Sequence, residues 1–143
     1  MAENDNPTSP EATIDLQRIS LRLFEPFDID DFMVWASNED VCRFCSWEPG
    51  FSREEGLDLL RRRIFFSRWI RSICLDRKSI GEISVTGVGG DGRRAEIGYV
   101  VGSNYWGKGI ATYAVRLAAT AIFWEWPQLE RVEGLVDVEN VGS

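Results

Sequence analysis

The segment Tyr105-Trp106-Gly107-Lys108-Gly109-Ile110-Ala111 constrains this chain more than any other. It follows the apolar run Ile97-Gly98-Tyr99-Val100-Val101 and leads into an Ala-rich stretch over 111–123. A strand therefore runs into a glycine turn, and the turn opens a helix. Glycine lets the backbone approach a ligand closely, and the free N–H groups of a helix's first turn point at whatever lies above them. Together with the positive end of the helix dipole, those donors make a site for phosphate oxygens.

A length of 143 residues implies one domain with a sizeable core. Hydrophobic residues at 44% and charged residues at 27% are ordinary for a soluble globular protein. No apolar run approaches the roughly 20 residues that a membrane helix needs. The first residues, MAENDNPTSPEATID, lack the basic and apolar regions of a secretory signal and the Arg-rich bias of a transit peptide. The expectation is a cytoplasmic protein, with the nucleus also open to it, that does not bind membranes.

The net charge of −7 argues against a nucleic-acid partner, which would call for a basic face. Four of these charges, Glu3, Asp5, Glu11 and Asp15, lie in the N-terminal tail without a basic residue, which leaves −3 for the remainder. That balance favours a cationic or amine partner over an anionic one. Cys42, Cys45 and Cys74 are an odd set, and there is no His. Cys42-Arg43-Phe44-Cys45 has no second pair and no βαβ context, so the cysteines are expected as reduced thiols and no metal is expected. Without His, a Ser-His-Asp or Cys-His nucleophile system is excluded.

Residues 1–16 read as a disordered tail with Pro7 and Pro10 among polar residues. Ile19-Ser20-Leu21-Arg22-Leu23 alternates as a half-buried strand does. Asp28 is placed to cap a helix carrying Ile29, Phe32, Met33 and Trp35, with Asp31 near the positive end of its dipole. Ser52-Arg53-Glu54-Glu55 is a capping box, after which Leu57, Leu60 and Ile64 repeat at helical spacing. Trp47-Glu48-Pro49-Gly50 is the loop between these two helices. Strands are expected over 69–75, 79–86, 95–101 and 131–138, with a helix over 109–126 stopped by Pro127. The fold class is mixed α/β, a mainly antiparallel twisted sheet flanked by helices.

Gly87, Gly89 and Gly92 match the spacing of a dinucleotide-binding fingerprint, but a strand pattern follows them where a helix is required. Asp91-Gly92 instead signals a hairpin. Gly107-Lys108-Gly109 is no Walker A loop, since GK[ST] and its spacing are missing.

The segment 96–114 resembles the central motif of the GNAT acetyltransferase superfamily, most closely the branch related to the N-terminal acetyltransferases of ribosomal proteins. In that superfamily's [QR]-x-x-G-x-[GA] signature, Gly109 takes the fixed glycine and Ala111 the final small position. Trp106 stands where Gln or Arg is usual, as in the Tyr-Trp-Gly-x-Gly form of this branch. Leu21-Arg22-Leu23 resembles the family's opening strand. Val136-Asp137-Val138-Glu139-Asn140 resembles the strand whose closing Asn, here Asn140, lies near the cofactor.

The resemblance implies acetyl-CoA as co-substrate. Its pyrophosphate would sit at Trp106, Gly107, Lys108, Gly109, Ile110, Ala111 and Thr112, and its pantetheine arm along the main chain of Tyr99, Val100 and Val101. The implied reaction moves an acetyl group to a primary amine, on a protein N-terminus or side chain in preference to a small molecule, by direct attack in a ternary complex. Strand amides near Val100 and Val101 are then candidates for the oxyanion contact, and Glu96 for the base that takes the ammonium proton. Trp106 and Tyr105 are expected to wedge the turn. Trp35, Phe44, Trp47 and Phe51 lie where this family builds its acceptor pocket, and Glu48 among them suits an amine.

In the family a helix and two further strands follow the Asn, whereas this chain ends at Asn140-Val141-Gly142-Ser143. The expectation is thus a domain over 17–143, incomplete at its C-terminus, whose last strand leaves an edge through which two copies could pair as a homodimer. The alternative from another class is a non-catalytic acyl-CoA-binding or interaction module.

Overall fold

Short apolar runs separated by turn residues build one sheet, and the computed structural model describes it over residues 14–134. The elements are β1 (Ile19–Arg22), α1 (Ile29–Ala36), α2 (Glu39–Cys42), α3 (Arg53–Phe66), β2 (Trp69–Leu75), β3 (Lys78–Val88), β4 (Arg94–Val101), α4 (Ile110–Glu125) and β5 (Arg131–Gly134). The strands lie in sequence order, antiparallel from β1 to β4, while β5 joins β4 in parallel. A parallel neighbour needs a crossover, and α4 supplies it.

Side-chain alternation divides the core between the two faces of the sheet. Ala95, Ile97 and Val101 of β4 meet α4 on one face. The buried stripe of α4 is Ile110, Ala114, Ala118 and Ile122, four residues apart, with alanines at its centre. Such small side chains let the helix lie close against Ile83 and Ile97, both 0% exposed. Burying an isoleucine contributes about 1.5–3 kcal/mol. On the other face α1 and α3 form a second cluster of Ile29, Phe32, Trp35, Ala36 and Leu60, against which Val100 packs.

The capping box forms as expected: Ser52 Oγ accepts from the Glu55 amide at 3.1 Å, and the Ser52 amide donates to Glu55 Oε1 at 2.7 Å. Asp28 does occupy the N-cap position of α1, but its side chain does not cap it. Its fully buried carboxylate takes Arg22 Nη1 and Nη2 at 2.7 and 2.8 Å and the Glu25 amide at 2.7 Å. Ion pairing to β1 outcompetes capping because a buried carboxylate left without a cation is costly. The glycines of the false fingerprint form a hairpin between β3 and β4, with Gly89, Gly90 and Gly92 at φ of 82°, 76° and 75°. Helix α2, capped by Asn38 Oδ1 on the Asp40 amide at 2.8 Å, is absent from the sequence reading.

Of the tail, Ile14, Asp15 and Leu16 are described: Asp15 accepts from the Gln17 amide at 3.0 Å, and Ile14 and Leu16 pack against the α4-side core. The expected strand over 131–138 is described as far as Gly134, and Asn140 lies outside the described residues. No helix among the described residues is long and apolar enough to cross a membrane.

Candidate active site

The described pairing between β4 and β5 ends at Ile97, ahead of the C-terminal half of β4. The Gly102 amide donates to the Ile80 carbonyl at 2.8 Å, which fixes the alternation of the β3–β4 ladder. Val100, opposite Glu82, then turns its amide and carbonyl toward β3, whereas Tyr99 and Val101 turn theirs the other way. Pairing to β5 runs from Arg94↔Arg131 to Ile97↔Gly134. The main chain of Tyr99 and the amide of Val101 are directed to that side, where no strand among the described residues covers 98–101. The Val101 carbonyl is already engaged, by the indole N–H of Trp106 at 2.7 Å.

Beyond β4 a single turn over Ser103–Tyr105 leads into the glycines. Gly107 and Gly109 have φ of 78° and 81°, the left-handed region that other residues avoid. Gly109 is the N-cap of α4 and offers no capping side chain. The first α4 hydrogen bond is from the Tyr113 amide to the Gly109 carbonyl, 3.1 Å, so the amides of Ile110, Ala111 and Thr112 precede it. The side chains of Ile110 and Ala111 are buried at 0% and 2%, while Gly107 and Thr112 are exposed. The helix is thus anchored through two side chains, and its first turn lies at the surface. A helix start without a capping oxygen fits an anion that supplies one. Lys108 sits half-buried in the same turn.

Trp106 holds the turn from a second direction as well. Its ring meets Phe44, just after α2, edge to face at 5.7 Å and 77°. Tyr105 packs against the α4-side core. The Tyr99 phenol is pushed above its usual pKa by burial.

Glu96 lies on the face of the sheet that α1 and α3 cover, half-buried between Thr86 of β3 and Glu133 of β5. It has no ion-pair partner among the described residues: Arg93 reaches Glu130 at 3.7 Å, and Arg131 reaches Glu133 at 3.3 Å. The proximity of Glu133 escaped the sequence reading, because a parallel register set by a crossover helix has no local signal.

The aromatic residues near α2 divide into two groups. Trp35, 4% exposed with its indole N–H 3.4 Å from Ser79 Oγ, belongs to the core. Trp47 donates its N–H to the Ala36 carbonyl at 2.8 Å and stands between two open cavities. One, of about 530 Å³, is lined by Trp47, Glu48, Phe51, Glu54, Glu55 and Asp58 among others. The second, of about 520 Å³, shares Trp47 and Glu48 and adds Glu39 and Asp40. Carboxylates outnumber cations in both, with Arg62 in the first and Arg43 in the second.

Comparison with known proteins gives this arrangement its place. The family described as "Acetyltransferase (GNAT) domain" matches residues 18–143, and the chain belongs to that family. It is 28% identical over 137 residues to the uncharacterized N-acetyltransferase p20 of Bacillus licheniformis, covering 92% of this chain and 76% of that protein. The fold is that of a GNAT-family acetyltransferase from Bacillus anthracis, with a TM-score of 0.74 at 23% identity over 91% of this chain and 76% of the other. It is also that of the spermidine N-acetyltransferase of Vibrio cholerae, solved with CoA and spermine: TM-score 0.68 at 22% identity, over 87% and 75% of the two chains.

Proposed function

We propose that this chain uses acetyl-CoA to acetylate a primary amine. The observation that carries the reading is the coincidence, at one end of β4, of an uncapped helix start with left-handed glycines and a strand side that no described residue pairs. The diphosphate takes the amides of the α4 first turn, with Gly107, Lys108 and Trp106 around it. The pantetheine arm lies against Tyr99 and Val101, since the main chain of Val100 belongs to the β3 ladder.

The amine nitrogen attacks the thioester carbonyl, the C–S bond breaks, and the CoA thiolate leaves and is protonated. The Tyr99 and Val101 amides are the strand donors directed to the side where the oxyanion would form. Glu96 accepts the ammonium proton, directly or through a water. The acceptor enters along the acidic surface at Trp47, Glu48, Glu54, Glu55 and Asp58, which suits a cationic amine.

The test is release of free CoA from acetyl-CoA with a panel holding spermidine, butylamine and a peptide with a free N-terminus. Turnover with at least one amine, highest for the most cationic, is expected. Binding of CoA without turnover of any amine would favour the non-catalytic alternative.

A further inference from the structure

Glu82 sits at 1% exposure in the central strand β3, directly opposite Val100 and on the same face of the sheet. It is held by Arg63, which comes from α3 with its side chain 25% exposed. Arg63 Nε lies 2.8 and 2.7 Å from the two carboxylate oxygens, and Nη2 also donates to Oε2. The guanidinium of Arg63 in turn lies over the ring of Trp47, 5.0 Å from its centre. Trp47 lines both acidic cavities. A continuous path of contacts thus runs from strand β4 through Val100, Glu82, Arg63 and Trp47 to the acceptor surface.

We propose that the Arg63–Glu82 pair is a positioning element that sets the acceptor surface at Trp47 in register with the thioester strand at Val100. This inference rests on the acetyltransferase reading above. Glu82 is not the base, because both of its oxygens already accept N–H donors from Arg63 and the residue is shut away from water. It anchors a planar cation whose exposed quarter and stacked face support Trp47 from below. Lysine keeps the charge but has neither the plane nor the fork, so it is a poor substitute in this place.

A purely structural brace and a positioning pair respond differently to substitution. Exchanging a buried ion pair for apolar residues of similar volume often leaves stability unchanged, whereas removing one partner is destabilising. The experiment therefore uses the double variant Arg63→Met with Glu82→Leu and the single variant Arg63→Lys. Both are compared with the wild-type chain using acetyl-CoA and the best amine of the panel above. The double variant is expected to melt near the wild-type temperature and to keep its KM for acetyl-CoA. Its KM for the amine is expected to rise about tenfold, through displacement of the Trp47 surface that Arg63 supports. Arg63→Lys is expected to raise the amine KM in the same sense, and it serves as the reading if the double variant does not fold. Unchanged amine KM in a folded variant overturns the positioning role while leaving the acetyltransferase reading intact. Absence of turnover by the wild-type chain with every amine removes both.

Discussion

The indole N–H of Trp106 donates to the main-chain carbonyl of Val101 across 2.7 Å, closing the path from strand β4 to helix α4. One bond ties the end of β4 to the residue just ahead of the two left-handed glycines. The same ring touches Phe44 from the segment after α2, so one side chain links the glycine turn to that segment. The proposed site is therefore held as a unit.

Trp106→Phe isolates this bond, because phenylalanine keeps an aromatic face toward Phe44 but has no N–H. Leaving the Val101 carbonyl without its donor should cost about 1–3 kcal/mol of stability. It should also weaken CoA binding by roughly tenfold, through a looser turn. Denaturant midpoints and calorimetric titration with CoA measure the two effects, and an unchanged Kd would show that the indole hydrogen bond does not shape the turn.

Gly109→Ala tests backbone conformation without crowding. The nearest atom to an added Cβ is Leu16 Cδ1 at 3.9 Å, an ordinary contact, while φ of 81° is unfavourable for alanine. The expected loss is about 1–2 kcal/mol of stability. A variant as stable as the parent would contradict the left-handed N-cap.

Asp28→Ala should be among the most damaging single substitutions away from the site. It takes away the only carboxylate that meets the Arg22 guanidinium among the described residues, at 2.7 and 2.8 Å, leaving it the Leu23 and Arg77 carbonyls, and it frees the Glu25 amide. A loss of about 3–5 kcal/mol follows for a buried pair broken on one side. Thermal melting of the purified variant measures it, and a shift within experimental scatter would mean the pair is dispensable.

Burial raises the thiols of Cys42, Cys45 and Cys74, that of Cys45 from 9.0 to about 12. The native state therefore keeps protons that the unfolded chain releases near its ordinary thiol pKa. Because the native state then binds more protons, stability must fall as pH rises from about 9 toward 12, and these thiols leave it flat below that window. Urea midpoints at pH 8 and pH 10.5 should show the fall, and Cys45→Ala should lessen it. An equal fall in Cys45→Ala would assign the effect elsewhere.

Much of this architecture was legible in the sequence because it is encoded locally. The Ser52–Glu55 box, the apolar run ending at Val101 and the Gly107–Gly109 turn each carry their signal within a few residues, and each has the expected form. Asp28 misled because its partner Arg22 sits on a neighbouring strand and competes for the carboxylate that a cap would use. Arg63 with Glu82, and Glu96 with Glu133, were invisible since each pairing depends on how a helix or crossover lands on the sheet. The direction of the Val100 main chain was likewise open, because it depends on which β3 residue it faces. Helix α2 is only four residues long, too short for periodicity to register.

The most direct measurement is calorimetric titration of CoA into the wild-type chain and into Gly109→Glu, with melting curves for both. If bare amides at the start of α4 grip the diphosphate, CoA stabilises the wild-type chain, by about 2.7 kcal/mol at a hundredfold excess over its Kd. The folded Gly109→Glu variant, with a carboxylate at that spot, should then show no binding. Equal CoA affinity in the two proteins would contradict the account at its centre.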